Sequence, residues 1–308
     1  MEWIIARWVT FTATVLALGA CTVAFAVLPR VTTDDDSRRS MARDSARVGL
    51  GAILALIPAS LLRLLDQVLA LRSTDDPLLA GVGPLLTSTT WGTGFAWQSA
   101  ATLLALVGFA SVIRIPGSRT RWLVPTVASI ALCATPALQG HAIGSETWTT
   151  LAVAADVAHV TGAGLWLGAI GVMALLGMSL SNADGVSSPT HAARADARLR
   201  LLVPLIPPVA LPGAALLLIS GVVATMLKLR GVAELWTETW GRYVLLKTIL
   251  VAIVVTLGAL NWRRLGPRIA AADGVPALRK ALIVELLLAL LVLLVTAILV
   301  VTPLPGEA

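Results

Sequence analysis

Eight long apolar stretches, separated by short polar connections, constrain this 308-residue chain more than any other feature of its sequence. A membrane-spanning helix needs about 20 mainly apolar residues, and each stretch provides that length. Strands with open edges cannot satisfy their backbone groups in lipid, so we expect helices. The sequence therefore predicts an all-α, polytopic transmembrane helix bundle of about eight spans, forming one transmembrane domain over residues 1–308. The stretches cover approximately residues 5–29, 48–71, 94–113, 122–140, 150–178, 201–227, 241–261 and 281–302.

The composition excludes a soluble nucleic-acid-binding protein. Hydrophobic residues make up 57% of the chain and charged residues only 13%, about half the charged share of an ordinary soluble domain. The net charge is +6, but the basic residues lie between the apolar stretches and not on one amphipathic surface. The chain is therefore expected in a lipid bilayer, with no nucleic-acid partner.

The basic residues also predict an orientation. Sixteen of the 23 Lys and Arg residues lie in the connections that follow the first, third, fifth and seventh stretches. Only five lie on the opposite side. Cytoplasmic connections are enriched in Lys and Arg, so we expect both termini to be extracytoplasmic.

Four ionisable residues stand out in the segment 140–171. His141 follows the fourth stretch at its predicted external mouth, and Glu146 lies in the next connection, which lacks Lys and Arg. His159 lies about nine residues into the fifth stretch, roughly 13 Å deep at about 1.5 Å per residue. Asp156, three residues earlier, shares its helix face. An ionisable residue in the middle of the bilayer costs about 2.5–3.5 kcal/mol on insertion scales, so these residues are functional candidates.

Neutral imidazole is a ligand for copper, zinc, iron or nickel, and a nearby carboxylate can fix its tautomer. Metal binding to imidazole is expected to weaken as the pH falls and the ring becomes protonated. Two other interpretations remain open: a helix-packing histidine hydrogen-bonded to Asp156, and a proton relay of Asp156 and His159. Softer candidate ligands for Cu(I) are Cys21, Cys133, Met173, Met178 and Met226. No nucleophile–base pair or phosphate-binding loop is present, so we do not expect an enzyme.

Two other features of the apolar stretches lead to structural predictions. Gly164 and Gly168 point away from the His159 face and are expected to pack closely against another helix. Lys247 and Glu285 lie near opposite membrane faces. We expect them not to pair, with Lys247 extending outward and Glu285 inward.

Several motifs resemble a known family. "GHA" at 140–142, followed by "DVAHVTGAGLWLGAI" at 156–170, is similar to the central signature of the copper-resistance protein D (CopD) family, approximately H-x-x-x-A-x-x-W-x-G-G. Here Ala169 replaces the second glycine. The resemblance is strong over residues 139–303, a CopD-like core, and weaker over the N-terminal spans at 1–138. The positions that match the family's G-R-x-x-x-x-K and N-x-R-R segment are Gly241, Arg242, Lys247, Asn261, Arg263 and Arg264.

The resemblance implies a multi-pass protein of the bacterial cytoplasmic (inner) membrane that moves copper inward and contributes to copper homeostasis and resistance. It also implies a periplasmic copper-binding partner of the CopC type. His141 and His159 carry over as copper-associated positions, and we add Asp156 and Glu146 from their placement. The alternatives are a copper-delivery factor for oxidase assembly and a haem protein of the cytochrome b561 type. Two bis-histidine haems would need four intramembrane histidines, and this chain has at most two.

Overall fold

The computed structural model describes residues 4–71, 77, 81–139, 148–178, 189–265 and 274–305, and every regular element within these ranges is a helix. Eight helices are long and apolar enough to cross a membrane. The predicted all-α architecture with eight spans is therefore confirmed. In chain order, spans 1 to 8 are Ile4–Arg30, Asp35–Leu71, Thr90–Arg114, Thr120–Leu138, Thr149–Met178, Ala193–Met226, Thr239–Arg264 and Gly274–Leu299.

Span 2 begins at Asp35, well before the apolar stretch that predicted it. The extra turns are polar and begin with a cap. The Asp34 carboxylate accepts hydrogen bonds from the backbone N–H of Ser37 at 2.8 Å and from its hydroxyl at 2.7 Å. These bonds hold the pKa of Asp34 below its ordinary value. Hydropathy detects only the part of a helix that lies in lipid, so it missed this extension.

Proline positions explain where the spans are irregular. A short 3-10 turn at Val203–Leu205 contains Pro204, and the α-helix resumes at Ile206. Pro212 lies inside that helix. Proline lacks a backbone N–H and clashes with the preceding turn, which disrupts regular α-helical bonding. Span 6 is therefore irregular at its proline cluster.

The ends of the spans show that successive helices cross in alternating directions. A cavity of about 20 Å³ is lined by Arg7 near the start of span 1, Arg63 near the end of span 2, Pro136 at the end of span 4 and Val300 just after span 8. These four positions share one face of the bundle.

Ion pairs join the other ends at the opposite face. Arg198, early in span 6, lies 2.9 Å from the Asp44 carboxylate in the polar part of span 2. Arg279, early in span 8, lies 2.8 Å from Asp196 in span 6. The starts of spans 2, 6 and 8 therefore lie together.

Span 5 crosses span 1 at a glycine contact, as the sequence predicted. A Cβ atom at Gly168 would lie 2.1 Å from the Val15 carbonyl oxygen, and one at Gly19 would lie 2.2 Å from the Gly168 carbonyl carbon. A Cβ at Gly164 would meet the Leu18 side chain at 2.6 Å. Span 5 is wound as a π-helix over Gly164–Gly168, where this crossing occurs. The close approach therefore requires glycine on both helices.

Span 7 lies at the edge of the bundle. Its backbone runs beside that of span 8, and among the described residues it is not close to the backbones of spans 5 and 6 over any extended stretch. Only 11% of its most apolar window is buried. Side chains must therefore make most of the connection between span 7 and spans 5 and 6.

Candidate functional site

The His159 imidazole lies between spans 5 and 6 in a fixed tautomer. His159 lies ten positions after Thr149 at the start of the span, which corresponds to about 15 Å along the helix. Its Nδ1 atom is 3.0 Å from the Leu217 carbonyl oxygen. A carbonyl only accepts hydrogen bonds, so Nδ1 carries the hydrogen and donates it.

Two glycines bring span 6 close enough for this bond. A Cβ at Gly162 would lie 2.6 Å from the Leu217 backbone nitrogen, so glycine is needed for the close approach of the two helices. A Cβ at Gly221 would lie 3.0 Å from Cε1 of His159, so the ring rests directly against the backbone of span 6. Small residues therefore determine both the position and the hydrogen bond of the imidazole.

Lys247 of span 7 occupies the other side of the ring. Its Nζ atom is 3.0 Å from Nε2 of His159. An ammonium group only donates, so Nε2 accepts this hydrogen bond through its lone pair and the ring is neutral. The expectation that Lys247 extends outward is therefore wrong, because the ammonium group points into the bundle. A lysine in an apolar span was visible in the sequence, but its direction depends on the neighbouring spans.

Asp156 belongs to the same cluster of side chains. Its Oδ1 atom is 3.4 Å from Nζ of Lys228 at the end of span 6, and each of these side chains is 23% exposed. The role that the sequence suggested for Asp156, fixing the tautomer of His159, is performed by the Leu217 carbonyl. Asp156 and Lys228 are both within electrostatic range of Lys247. The cluster thus contains two ammonium groups, one carboxylate and one neutral imidazole.

Two family models match the chain in separate ranges. The model described as copper resistance protein D matches residues 207–299. The model described as copper resistance protein D-like, N-terminal domain matches residues 1–152. The chain belongs to the copper resistance protein D family. Comparisons with curated proteins and with solved structures gave no match.

This member of the copper resistance protein D family is therefore a copper resistance membrane protein with eight apolar helices. The C-terminal match contains Leu217 and Lys247, which contact the two ring nitrogens, and Lys228, which pairs with Asp156. His159 and Asp156 lie between the two matched ranges. The site is thus formed where span 5 meets the C-terminal family domain.

Other sequence-predicted site residues are placed differently. His141 and Glu146 fall outside the described residues. Cys21 and Cys133 are buried free thiols, and both contact Ser129 of span 4, at 3.9 Å and 3.3 Å. Within the described ranges, no three His, Cys, Asp or Glu side chains converge as a metal site. Of the methionines proposed as soft ligands, Met173 is buried in the core and Met226 is 71% exposed.

A second polar pair lies between spans 7 and 8. The Asn261 side-chain amide donates to Oε1 of Glu285 at 2.5 Å, and Glu285 is only 8% exposed. Lys247 and Glu285 do not pair with each other, in agreement with the sequence prediction. Sequence reasoning missed the contact of Asn261 with Glu285, because nothing in the apolar pattern indicates which side chains face each other.

A third polar group, in the N-terminal domain, is a chain of hydrogen bonds. Arg63 donates to Gln139 at 2.6 Å, Gln139 donates to Gln98 at 3.3 Å, and Gln98 donates to Ser60 at 2.6 Å. These bonds join spans 2 and 3 to each other and to Gln139, directly after span 4. Such a network specifies how spans 2, 3 and 4 pack together.

Proposed function

We propose that this protein carries copper inward across the bacterial cytoplasmic membrane, with His159 as a ligand inside the bundle. The family supports copper as the transported ion, and the supporting structural observation is the fixed tautomer of His159. Because Nδ1 donates to the Leu217 carbonyl, Nε2 presents a lone pair to the space between spans 5, 6 and 7. Neutral imidazole with an oriented ring is a suitable copper ligand.

The distribution of basic residues supports an extracytoplasmic position for the site. If the Lys- and Arg-rich connections are cytoplasmic, both termini and the His159 half of span 5 are extracytoplasmic. Copper would then enter from the periplasm, pass His141 and Glu146 at the outer mouth, and reach His159. A periplasmic protein of the CopC type would supply it. In this proposal residues 139–303 form the copper-handling core and residues 1–138 support it.

The test is copper uptake by proteoliposomes containing the purified full chain. We expect His159→Ala to lower Cu(I) uptake at least tenfold, because the ion loses its intramembrane ligand, without changing insertion or folding. The matched control is His191→Ala, on the helix Pro189–Leu202 at the opposite membrane face. Equal uptake by wild type and His159→Ala would remove His159 from the pathway. Vesicles with known orientation, loaded from either side, would establish direction.

The same preparations separate the alternatives. A Soret absorbance band that His159→Ala abolishes would favour the haem protein. Loss of oxidase activity in cells with unchanged copper uptake would favour a copper-delivery factor. Import predicts a featureless visible spectrum and cellular copper content that falls with the His159 variant.

A further inference from the structure

Lys247 occupies the ring nitrogen of His159 that a copper ion would need. A metal ion binds imidazole through the lone pair of an unprotonated nitrogen. In His159 that nitrogen is Nε2, because Nδ1 donates to the Leu217 carbonyl. Nε2 already accepts a hydrogen bond from Lys247 at 3.0 Å. A copper ion and the Lys247 ammonium group therefore cannot use the imidazole at the same time.

The charge of the cluster limits which ion can bind. The cluster holds two ammonium groups, those of Lys228 and Lys247, and one carboxylate. Because a displaced Lys247 stays beside Asp156, Cu(I) would add one positive charge to this cluster and a divalent ion would add two. In a low-dielectric interior this excess is costly. The cluster therefore favours a monovalent ion.

Asp156 is the carboxylate of the cluster that could receive the displaced ammonium group. It lies three residues before His159 on span 5 and so shares the helix face that carries the ring. One of its oxygens, Oδ1, binds Lys228 at the long distance of 3.4 Å. The backbone of span 7 is not closely packed on spans 5 and 6, and lysine has four flexible methylene groups. We therefore expect the flexible lysine side chain to let the ammonium group shift from Nε2 toward Asp156.

We propose that Lys247 is a resident cation of the His159 site, which binds Nε2 when copper is absent and is displaced toward Asp156 when Cu(I) binds. This inference rests on the proposed function and adds a regulatory part to the same site. The resident cation keeps the site specific for a monovalent ion and weakens copper binding enough for the ion to leave again. The exchange moves a charged side chain and transfers no proton.

The test measures metal affinity on the purified full chain, with Ag(I) as a redox-stable analogue of Cu(I). We expect Lys247→Met to bind Ag(I) at least tenfold more tightly than wild type, because no cation competes for Nε2. Lys247→Arg retains a cation and should bind less tightly than Lys247→Met. The matched control is Lys280→Met, which removes an exposed lysine of span 8 and should leave the affinity unchanged.

Selectivity gives a second readout. We expect Lys247→Met to increase Zn(II) affinity more than Ag(I) affinity, since removing one positive charge benefits a divalent ion more. Equal or weaker Ag(I) binding by a folded Lys247→Met would overturn the proposal, as would the same result with Lys247→Gln. If His159→Ala also binds Ag(I) as tightly as wild type, the proposed function fails as well, because His159 is then not the ligand. Weaker binding by His159→Ala alone would leave the proposed function standing.

Discussion

Glycines on two faces of span 5 serve different purposes. Toward span 1, Gly164 and Gly168 allow contact between backbones, and the nearest atoms belong to Val15 and Leu18. Toward span 6, Gly162 allows a similar approach, but there the Leu217 carbonyl also accepts a hydrogen bond from His159. The first face only holds helices together, whereas the second also orients the His159 imidazole.

The difference shows that close packing is a precondition for the site. A carbonyl oxygen inside a helix can bind a side chain of the neighbouring helix only if the two helices come close together. Glycine supplies that closeness on both faces. Only the face toward spans 6 and 7 also carries ionisable groups, Asp156 and His159. Substitutions on the two faces should therefore separate loss of folding from loss of copper binding.

The largest expected effect is on the packing face. Gly168→Ala places a Cβ 2.1 Å from the Val15 carbonyl oxygen, and a backbone atom cannot move aside as a side chain can. We expect a loss of more than about 3 kcal/mol in the free energy of unfolding, the upper end for overpacked cores. Unfolding of the purified protein in a denaturing detergent would measure it.

The control for this prediction lies on the same helix. Gly171→Ala places its Cβ 3.1 Å from Cδ2 of Leu16, the end of a flexible side chain. It should cost less than about 1 kcal/mol. If Gly168→Ala is as stable as Gly171→Ala, the contact between spans 1 and 5 is not as tight as described, and the comparison of the two faces loses its basis.

The next largest effect is expected on the face of span 5 that packs against span 6. Gly162→Ala places a Cβ 2.6 Å from the Leu217 nitrogen and should push span 6 away from span 5. We expect about 1–3 kcal/mol of destabilisation. Copper affinity should also fall by about 10- to 100-fold, as it does when the group that orients a ligand is lost.

A glycine farther from the ring provides the comparison. Gly213→Ala places a Cβ 2.7 Å from the Trp166 nitrogen and strains the same pair of helices. It should destabilise the protein by a similar amount but reduce copper affinity less. If both variants lose copper in proportion to stability, the Leu217 carbonyl has no separate role in orienting His159.

Much of the fold could be predicted from the sequence because lipid imposes a simple requirement. A span needs about 20 apolar residues with its backbone bonds satisfied internally, so length and hydropathy suffice to find it. The spacing of Gly164 and Gly168 also predicted a tight helix contact, because residues four apart lie on one face of a helix. Polar extensions of the helices, such as the start of span 2, were not predicted, because they lie beyond the apolar pattern.

The site was only partly predictable. Asp156 and His159 share one helix, so their proximity follows from their spacing. The partners of His159 come from other spans, at Leu217 and Lys247, and their contacts depend on how the helices pack. Considered alone, a lysine eight residues after the start of a span is expected to extend toward water. Here a neutral imidazole supplies a closer acceptor.

A smaller effect is expected where the ring touches span 6. Gly221→Ala places a Cβ 3.0 Å from Cε1 of His159, so the ring must tilt by a few tenths of an ångström. We expect copper affinity to fall by about 3- to 10-fold, with the free energy of unfolding changed by less than about 0.5 kcal/mol. The control is Gly258→Ala in span 7, where the nearest atom is 3.8 Å away. Unchanged affinity in Gly221→Ala would show that the exact pose of the ring does not matter.

A similarly small effect on stability should come from the ion pair between Asp156 and Lys228. Asp156 and Lys228 are 3.4 Å apart, and each side chain is 23% exposed. Both side chains are therefore partly exposed, and we expect the pair to contribute about 0.2–1 kcal/mol, the range for ion pairs that water screens. A double-mutant cycle with Asp156→Asn and Lys228→Met should give a coupling energy within that range. A coupling well above 1 kcal/mol would mean that the pair is shielded from water. Asp156 would then be held by Lys228 too firmly to accept the ammonium group of Lys247, and the outer end of this face would be structural, like the face toward span 1.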